Sequence, residues 1–230
     1  MAKKRTYRFC FGPWNISEGQ DPYGPPVRPP QTFDWKLAQL KKLGFDAMLA
    51  HDKKIRLAIE PKPNEPMDHA YLPTIGHALA VAQLTRDSKR VGCLIESAHA
   101  ILAGLDPADE IDFAMAFGKL WSLHLNDQNG LKFDQDKPFG SNNLRVAFNQ
   151  VRALERNGYG QNGEHVCFDV HPFRTTKTAH WLKHLDNSRR TFLRLVEKAR
   201  TFDEQKAQSL IADRNYQDLD QMVLEHLLGK

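Results

Sequence analysis

The sequence predicts an α/β protein built on a parallel sheet covered by helices, and three observations predict it. Short apolar runs rich in β-branched or aromatic residues recur along the chain. Segments with helical apolar spacing lie between them. Polar residues gather at the C-terminal end of run after run. Strand–helix alternation is the pattern of parallel sheets, because parallel neighbours need a long crossover between them.

In chain order the strand candidates are "YRFCFG" (7–12), "DAMLAHD" (46–52), "IRLAIEP" (55–61), "VGCLIES" (91–97), "LWSLHLND" (120–127) and "HVCFDVHP" (165–172). Between the first two, "FDWKLAQLKKLG" places Leu37, Leu40 and Leu43 on one helical face, with Gly44 as the stop. "TIGHALAVAQL" reads as a second helix and "NLRVAFNQVRALERNG", ending at Gly158, as a third. After residue 178, "TAHWLKHLDNSRRTFLRLVEKARTF" reads as one long amphipathic helix, followed by "DLDQMVLEHLLGK". No strand pattern follows.

The polar ends are specific. His51 and Asp52 close the second run, Glu60 and Lys62 the third, and Glu96 and His99 the fourth. His124 and Asn126 close the fifth, Asp169 and His171 the sixth. The C-terminal ends of parallel strands face one common crevice, where chemistry sits. A single carboxylate at a strand end is usually a helix cap or a surface charge. Five runs ending this way point to a shared site.

Composition narrows the class. The 230 residues, 41% hydrophobic and 26% charged, suit one large or two small globular domains. Nothing approaches the ~18 consecutive apolar residues of a membrane helix. "MAKKRTYRFC" is basic but lacks the apolar stretch of a signal peptide. Cys10, Cys93 and Cys167 each lie in an apolar run, so reduced core thiols are expected, with no zinc-type pair. These features suggest a cytoplasmic protein. The net charge of +4 is modest and the basic residues are interleaved with acids, which predicts no nucleic-acid and no membrane partner.

One stretch, "HLNDQNGLKFDQDKPFG" (124–140), asks for a cation. Asp134 and Asp136 stand two apart near Asp127 and behind His124. Residues two apart in an extended segment point the same way. Like charges so close repel unless something positive lies among them. Glu96 and His99, three apart, converge if a helical turn begins there.

These motifs resemble those of the xylose isomerase family, in family order and over nearly the whole chain. "RFCFGPWNISEGQDPYG" is similar to the family's first strand and loop, and "AIEPKPNEP" with "YLPTIGHAL" to a family signature. "IESAH" has its Glu-x-x-His spacing, "LNDQNGLKFDQDKPFG" resembles the loop after the seventh strand, and "FDVHPFRT" the end of the eighth. The C-terminal "LDQMVLEHLLG" fits as well. The resemblance implies a TIM barrel, normally assembled as a tetramer, with two divalent cations at its C-terminal mouth. It implies that Glu60, Glu96, His124 and Asp169 hold the first cation, and that Glu96, His99, Asp134 and Asp136 hold the second. Mostly carboxylate ligands suit Mg²⁺ or Mn²⁺, with Co²⁺ tolerated because imidazole is present.

The implied reaction is aldose–ketose interconversion, D-xylose to D-xylulose by default, through a two-metal hydride shift between C2 and C1. Lys62 would hydrogen-bond the carbonyl oxygen, and His51 would assist ring opening as acid–base. Trp14 would be an apolar wall, and Tyr23 matches an aromatic lent across a subunit interface. A homo-oligomer, dimer or tetramer, is therefore expected, acting on a small sugar. The expected organisation is a barrel-like catalytic domain over residues 1–177, with C-terminal helices over 178–230 packed on it or on a neighbouring subunit. Two other readings are a non-catalytic relative that binds metal and oligomerises, and an epimerase or phosphodiesterase on a related barrel.

The chain departs from the family pattern in three ways. His124 replaces a carboxylate, which shifts metal preference. Lys53 and Lys54 stand where a carboxylate partner of His51 belongs, and a nearby ammonium lowers a histidine's proton affinity. Third, "AHDKK" runs straight into "IRLAIEP", whereas the family has two whole βα units there, so six strands are recognisable rather than eight. A two-lysine link is too short for a right-handed parallel crossover. Either those two strands are not neighbours within one chain, or "AMLAHD" is not a strand, or partner subunits complete the sheet. His171 replaces a family lysine and is assigned no role.

Overall fold

The computed structural model describes residues 6–11, 13–19, 24–45, 47–48, 56–65, 68–130 and 133–229. Each predicted run contains a strand: β1 (Arg8–Phe11), β2 (Ala47–Met48), β3 (Leu57–Ile59), β4 (Val91–Glu96), β5 (Leu120–His124) and β6 (His165–Cys167). All pair in parallel, in the order β2-β1-β6-β5-β4-β3.

That order settles the short link. β2 and β3 follow one another in sequence but are the two edges of the sheet. They are not neighbours, which is the first of the three alternatives, and the residues 49–55 that join them lie outside the described residues. The order is that of a TIM barrel from which two βα units are missing between the second and third strands. The sheet is accordingly an open arc, with no β2–β3 pairing among the described residues.

Three helices form between the strands where the periodicity predicts them, and others lie beyond those patterns. α1 (Phe33–Lys42) is capped by Thr32, whose side chain accepts from the Trp35 amide. Gly44, at φ +77°, turns the chain out of it. α2 (Ile75–Leu84) buries Ile75, Ala78, Leu79 and Ala82. α3 (Ser97–Leu102) starts directly from β4, and α4 (Pro107–Ala116) follows, capped by Asp106 with Pro107 in its first turn. α4 lies outside the helical patterns above, although its cap and proline are the local marks of a helix start. α5 (Leu144–Asn157) is capped by Asn143 and closed by Gly158 in the left-handed region.

The expected single helix after residue 178 divides. A 3₁₀ turn at Thr178–His180 precedes α6 (Lys183–Thr201), because Trp181 is drawn into the core between them. Phe192 of α6 is fully buried, with ring centroids 5.0 Å from Tyr7, 5.8 Å from Phe9 and 6.4 Å from Phe168. α6 is thus part of the same core as β1 and β6. α7 (Glu204–Ala212) and α8 (Tyr216–Leu228) complete the chain, His226 of α8 lying against Phe148 and Phe202. No helix of the described residues is long and apolar enough to cross a membrane.

The cysteine expectation needs correcting. Cys10 and Cys167 are register partners across β1 and β6, 4.8 Å apart at Cα, and are joined as a disulfide. Neighbouring parallel strands bring facing positions this close, which sequence separation conceals. Cys93 is free and buried.

Gly92 marks a close approach on β4. A Cβ built there would run into the Trp121 ring, and that ring is flanked by Arg56 and Lys119. Gly92→Ala is therefore expected to lower stability by about 1–3 kcal/mol through overpacking. Urea denaturation with an unchanged midpoint would contradict this.

Candidate metal centre

The C-terminal strand ends bring the polar residues together. Glu96 ends β4 and pairs in register with His124, which ends β5. His124 pairs in turn with Cys167 of β6. Asp169 stands two residues beyond Cys167, and Glu60 one residue beyond β3. His99 sits in the first turn of α3, three residues past Glu96, so the two side chains meet as helical spacing requires. Asp134 and Asp136 come from the long loop between β5 and α5.

Two groups of donor atoms result. Glu60, Glu96, His124 and Asp169 each offer an atom within 4.8 Å of the others, and so do Glu96, His99 and Asp134. Glu96 belongs to both. His124 Nδ1 lies 3.4 Å from Asp169 Oδ2, 3.7 Å from Glu60 Oε1 and 3.8 Å from Glu96 Oε2. His99 Nε2 lies 3.0 Å from Asp134 Oδ2 and 3.1 Å from Glu96 Oε1, while its Nδ1 is 2.9 Å from the Pro61 carbonyl oxygen. Asp136 lines the same cavity but lies outside both groups, its Oδ2 3.7 Å from His171 Nε2.

Of the other residues singled out in the sequence, Lys62 reaches the cavity. Its ammonium is 2.8 Å from Asp134 Oδ2 and 3.4 Å from Glu65 Oε2. Trp14 belongs to the 3₁₀ turn Pro13–Ile16. The next residue, Asn15, ties that turn to the end of β6 by donating to the Val170 carbonyl at 3.0 Å. His51 and Tyr23 lie outside the described residues. Asn126, noted in the sequence only as a polar strand end, is buried between Glu96 and Asp136 and donates to both. Its position two residues beyond His124 was the available signal.

Charge crowding governs the protons. Burial, with Asp169, Glu60 and Asp134 nearby, pushes Glu96 well above the usual carboxylate range, against the pull of His124. Burial and the charges of Asp134 and Asp169 push Asp136 up to about 8. Burial also raises Glu60 and Asp134, but contacts with His124 for the first, and with His99 and Lys62 for the second, outweigh it and hold each at about 2. Burial disfavours the charged form of His124, yet Asp169, Glu60 and Glu96 hold its pKa well above the usual histidine value. Protons and Lys62 thus do the neutralising that a cation would do.

The donor set fits divalent metal on independent grounds. His124 Nδ1, Asp134 Oδ1 and Asp169 Oδ1 are buried and have no hydrogen-bond partner among the described residues. Such atoms are costly to leave unmatched. Two of the three are carboxylate oxygens that can only accept when ionised, so a cation among them satisfies what the protein leaves open. The cavity lined by Glu60, Lys62, Glu96, His99, Asp134, Asp136 and Asp169 measures 480 Å³, within the roughly 300–1,000 Å³ of small-molecule sites.

Comparison with known proteins shows the family. A family described as xylose isomerase-like TIM barrel matches residues 13–186. Xylose isomerase of Thermus thermophilus is 39% identical over 176 residues, covering 76% of this chain and 44% of its own length. Xylose isomerase of Thermus caldophilus is 38% identical over the same shares. Xylose isomerase of Streptomyces lividans is 33% identical over 237 aligned positions, covering 86% of this chain and 57% of its own length. The chain spans about half the length of the curated relatives it matches.

Proposed function

The chain belongs to the xylose isomerase-like TIM barrel family, and from that premise we propose that it is a metal-dependent aldose–ketose isomerase, with D-xylose as the first substrate to test. The observation that carries the reading is the set of unmatched buried ligand atoms on His124, Asp134 and Asp169 around the doubly shared Glu96. Glu60, Glu96, His124 and Asp169 would hold one cation. Glu96, His99 and Asp134 would hold a second, with Asp136 beside them. The ions, Mg²⁺ or Mn²⁺ with Co²⁺ tolerated, would polarise sugar oxygens and ease loss of a hydroxyl proton.

The chain's own residues supply the rest. The cavity takes an open-chain pentose along the carboxylate wall. Lys62, already directed into it, would hydrogen-bond the carbonyl oxygen as negative charge builds there. A hydride moves between C2 and C1 while the hydroxyl proton passes from one oxygen to the other, so the sugar is isomerised without net gain or loss of atoms. Trp14, as the family resemblance implies, would limit water near the migrating hydride. His51 would serve ring opening and Tyr23 a neighbouring subunit's site. The expected assembly is a homo-oligomer.

The second reading, a metal-binding relative without turnover, is favoured by the open sheet. Incubation with D-xylose and each of Mg²⁺, Mn²⁺ and Co²⁺ separates the two. Ketose that forms only with metal supports the isomerase. Metal binding without ketose supports the second reading.

A further inference from the structure

We propose that Asn126 is a positioning residue that fixes the spacing of Glu96 and Asp136 across the cavity, an inference resting on the reading that these carboxylates serve a cation. The side chain is 1% exposed. Its Nδ2 donates to Glu96 Oε1 at 2.9 Å and to Asp136 Oδ1 at 3.0 Å, while its Oδ1 accepts from the Ala98 amide at 2.7 Å. The amide can take only one orientation. The Ala98 N–H requires an acceptor and the two carboxylates require donors. One residue thereby couples the corner between β4 and α3, which carries Glu96 and His99, to the loop that carries Asp134 and Asp136.

Two further observations point the same way. Asp136 has φ +44°, a left-handed conformation that few residues with a side chain adopt and that Asp tolerates when a hydrogen bond holds its carboxylate. Asn126 donates such a hydrogen bond. Asn126 is also neutral, so it orients the carboxylates without cancelling their charge. Lys62, by contrast, pairs with Asp134 and competes with an incoming cation.

Titration calorimetry of the full chain with Mn²⁺ alone tests this, together with the melting temperature of each metal-free variant. Asn126→Asp keeps the shape but turns the donor into a third acceptor. Asn126→Ser keeps one smaller donor and serves if the first variant fails to fold. Both are expected to weaken Mn²⁺ affinity by roughly 10–100-fold, the usual effect of losing a group that orients metal ligands. A purely electrostatic role predicts the opposite for Asn126→Asp, since the added negative charge would tighten binding. Tighter binding, or affinities of both folded variants within about twofold of wild type, would overturn the proposal. Wild-type protein that binds no Mn²⁺ would instead remove the metal reading itself.

Discussion

Glu96→Gln is expected to abolish the metal-induced rise in melting temperature while leaving the metal-free protein at least as stable as wild type. The two halves of this result have separate causes. Glu96 is the donor common to both groups of ligand atoms, so its loss weakens both together. A cation at a hundred times its dissociation constant stabilises by about 2.7 kcal/mol, which for a chain of this size is roughly 5–10 °C. That whole shift should disappear from the variant, along with metal-dependent turnover. Without metal, burial and the nearby carboxylates oppose the ionisation of Glu96, so the site favours a neutral group there. Glutamine is neutral and keeps an oxygen for the Asn126 amide. Differential scanning of both proteins with and without millimolar Mn²⁺ gives the comparison. A variant that keeps the shift would show that Glu96 is not the shared ligand.

Raising the pH from about 6 to about 8 should tighten Mn²⁺ binding by about tenfold per unit for each proton displaced. Asp136 is held up to about 8, and Glu96 and His124 are raised as well, so the metal-free site carries protons at neutral pH that a cation must expel. The metal-free fold responds in the opposite sense. Asp136 binds its proton more tightly folded than unfolded, so the folded state holds more protons between about 4 and 8 and loses stability as the pH rises through that window. Glu60 and Asp134, held at about 2, contribute stability that is complete above about 4.5 and is lost only in acid. The gap between the melting temperatures with and without metal should therefore widen from pH 6 to pH 8. Calorimetry at both pH values, in buffers of different ionisation enthalpy, would also count the protons released. An affinity that does not change with pH would refute the proton-for-metal exchange.

Much of this was legible in the chain. Six apolar runs became six strands because strands that pack in a parallel sheet are mostly apolar, as β4 is from Val91 to Ile95, and this leaves a local mark. Thr32, Asn143, Gly44 and Gly158 stand at helix ends where their side chains or their freedom at positive φ are used. Glu96 and His99 could be paired from their spacing because a helical turn converts three residues into one contact. Asp106 and Pro107 mark the start of α4 locally, whereas α6 begins at Lys183 and not at residue 178 because the burial of Trp181 is a tertiary event.

By itself the sequence determined the fold class, the strands and the residues that carry charge at the strand ends, since hydrophobic period and turn chemistry are local properties. Only the tertiary structure decided that β2 and β3 are opposite edges of an open sheet, that Cys10 faces Cys167, and that Asn126 lies between Glu96 and Asp136. Those are relations between residues far apart in the chain. They are set by which surfaces pack together, and no local pattern records that choice.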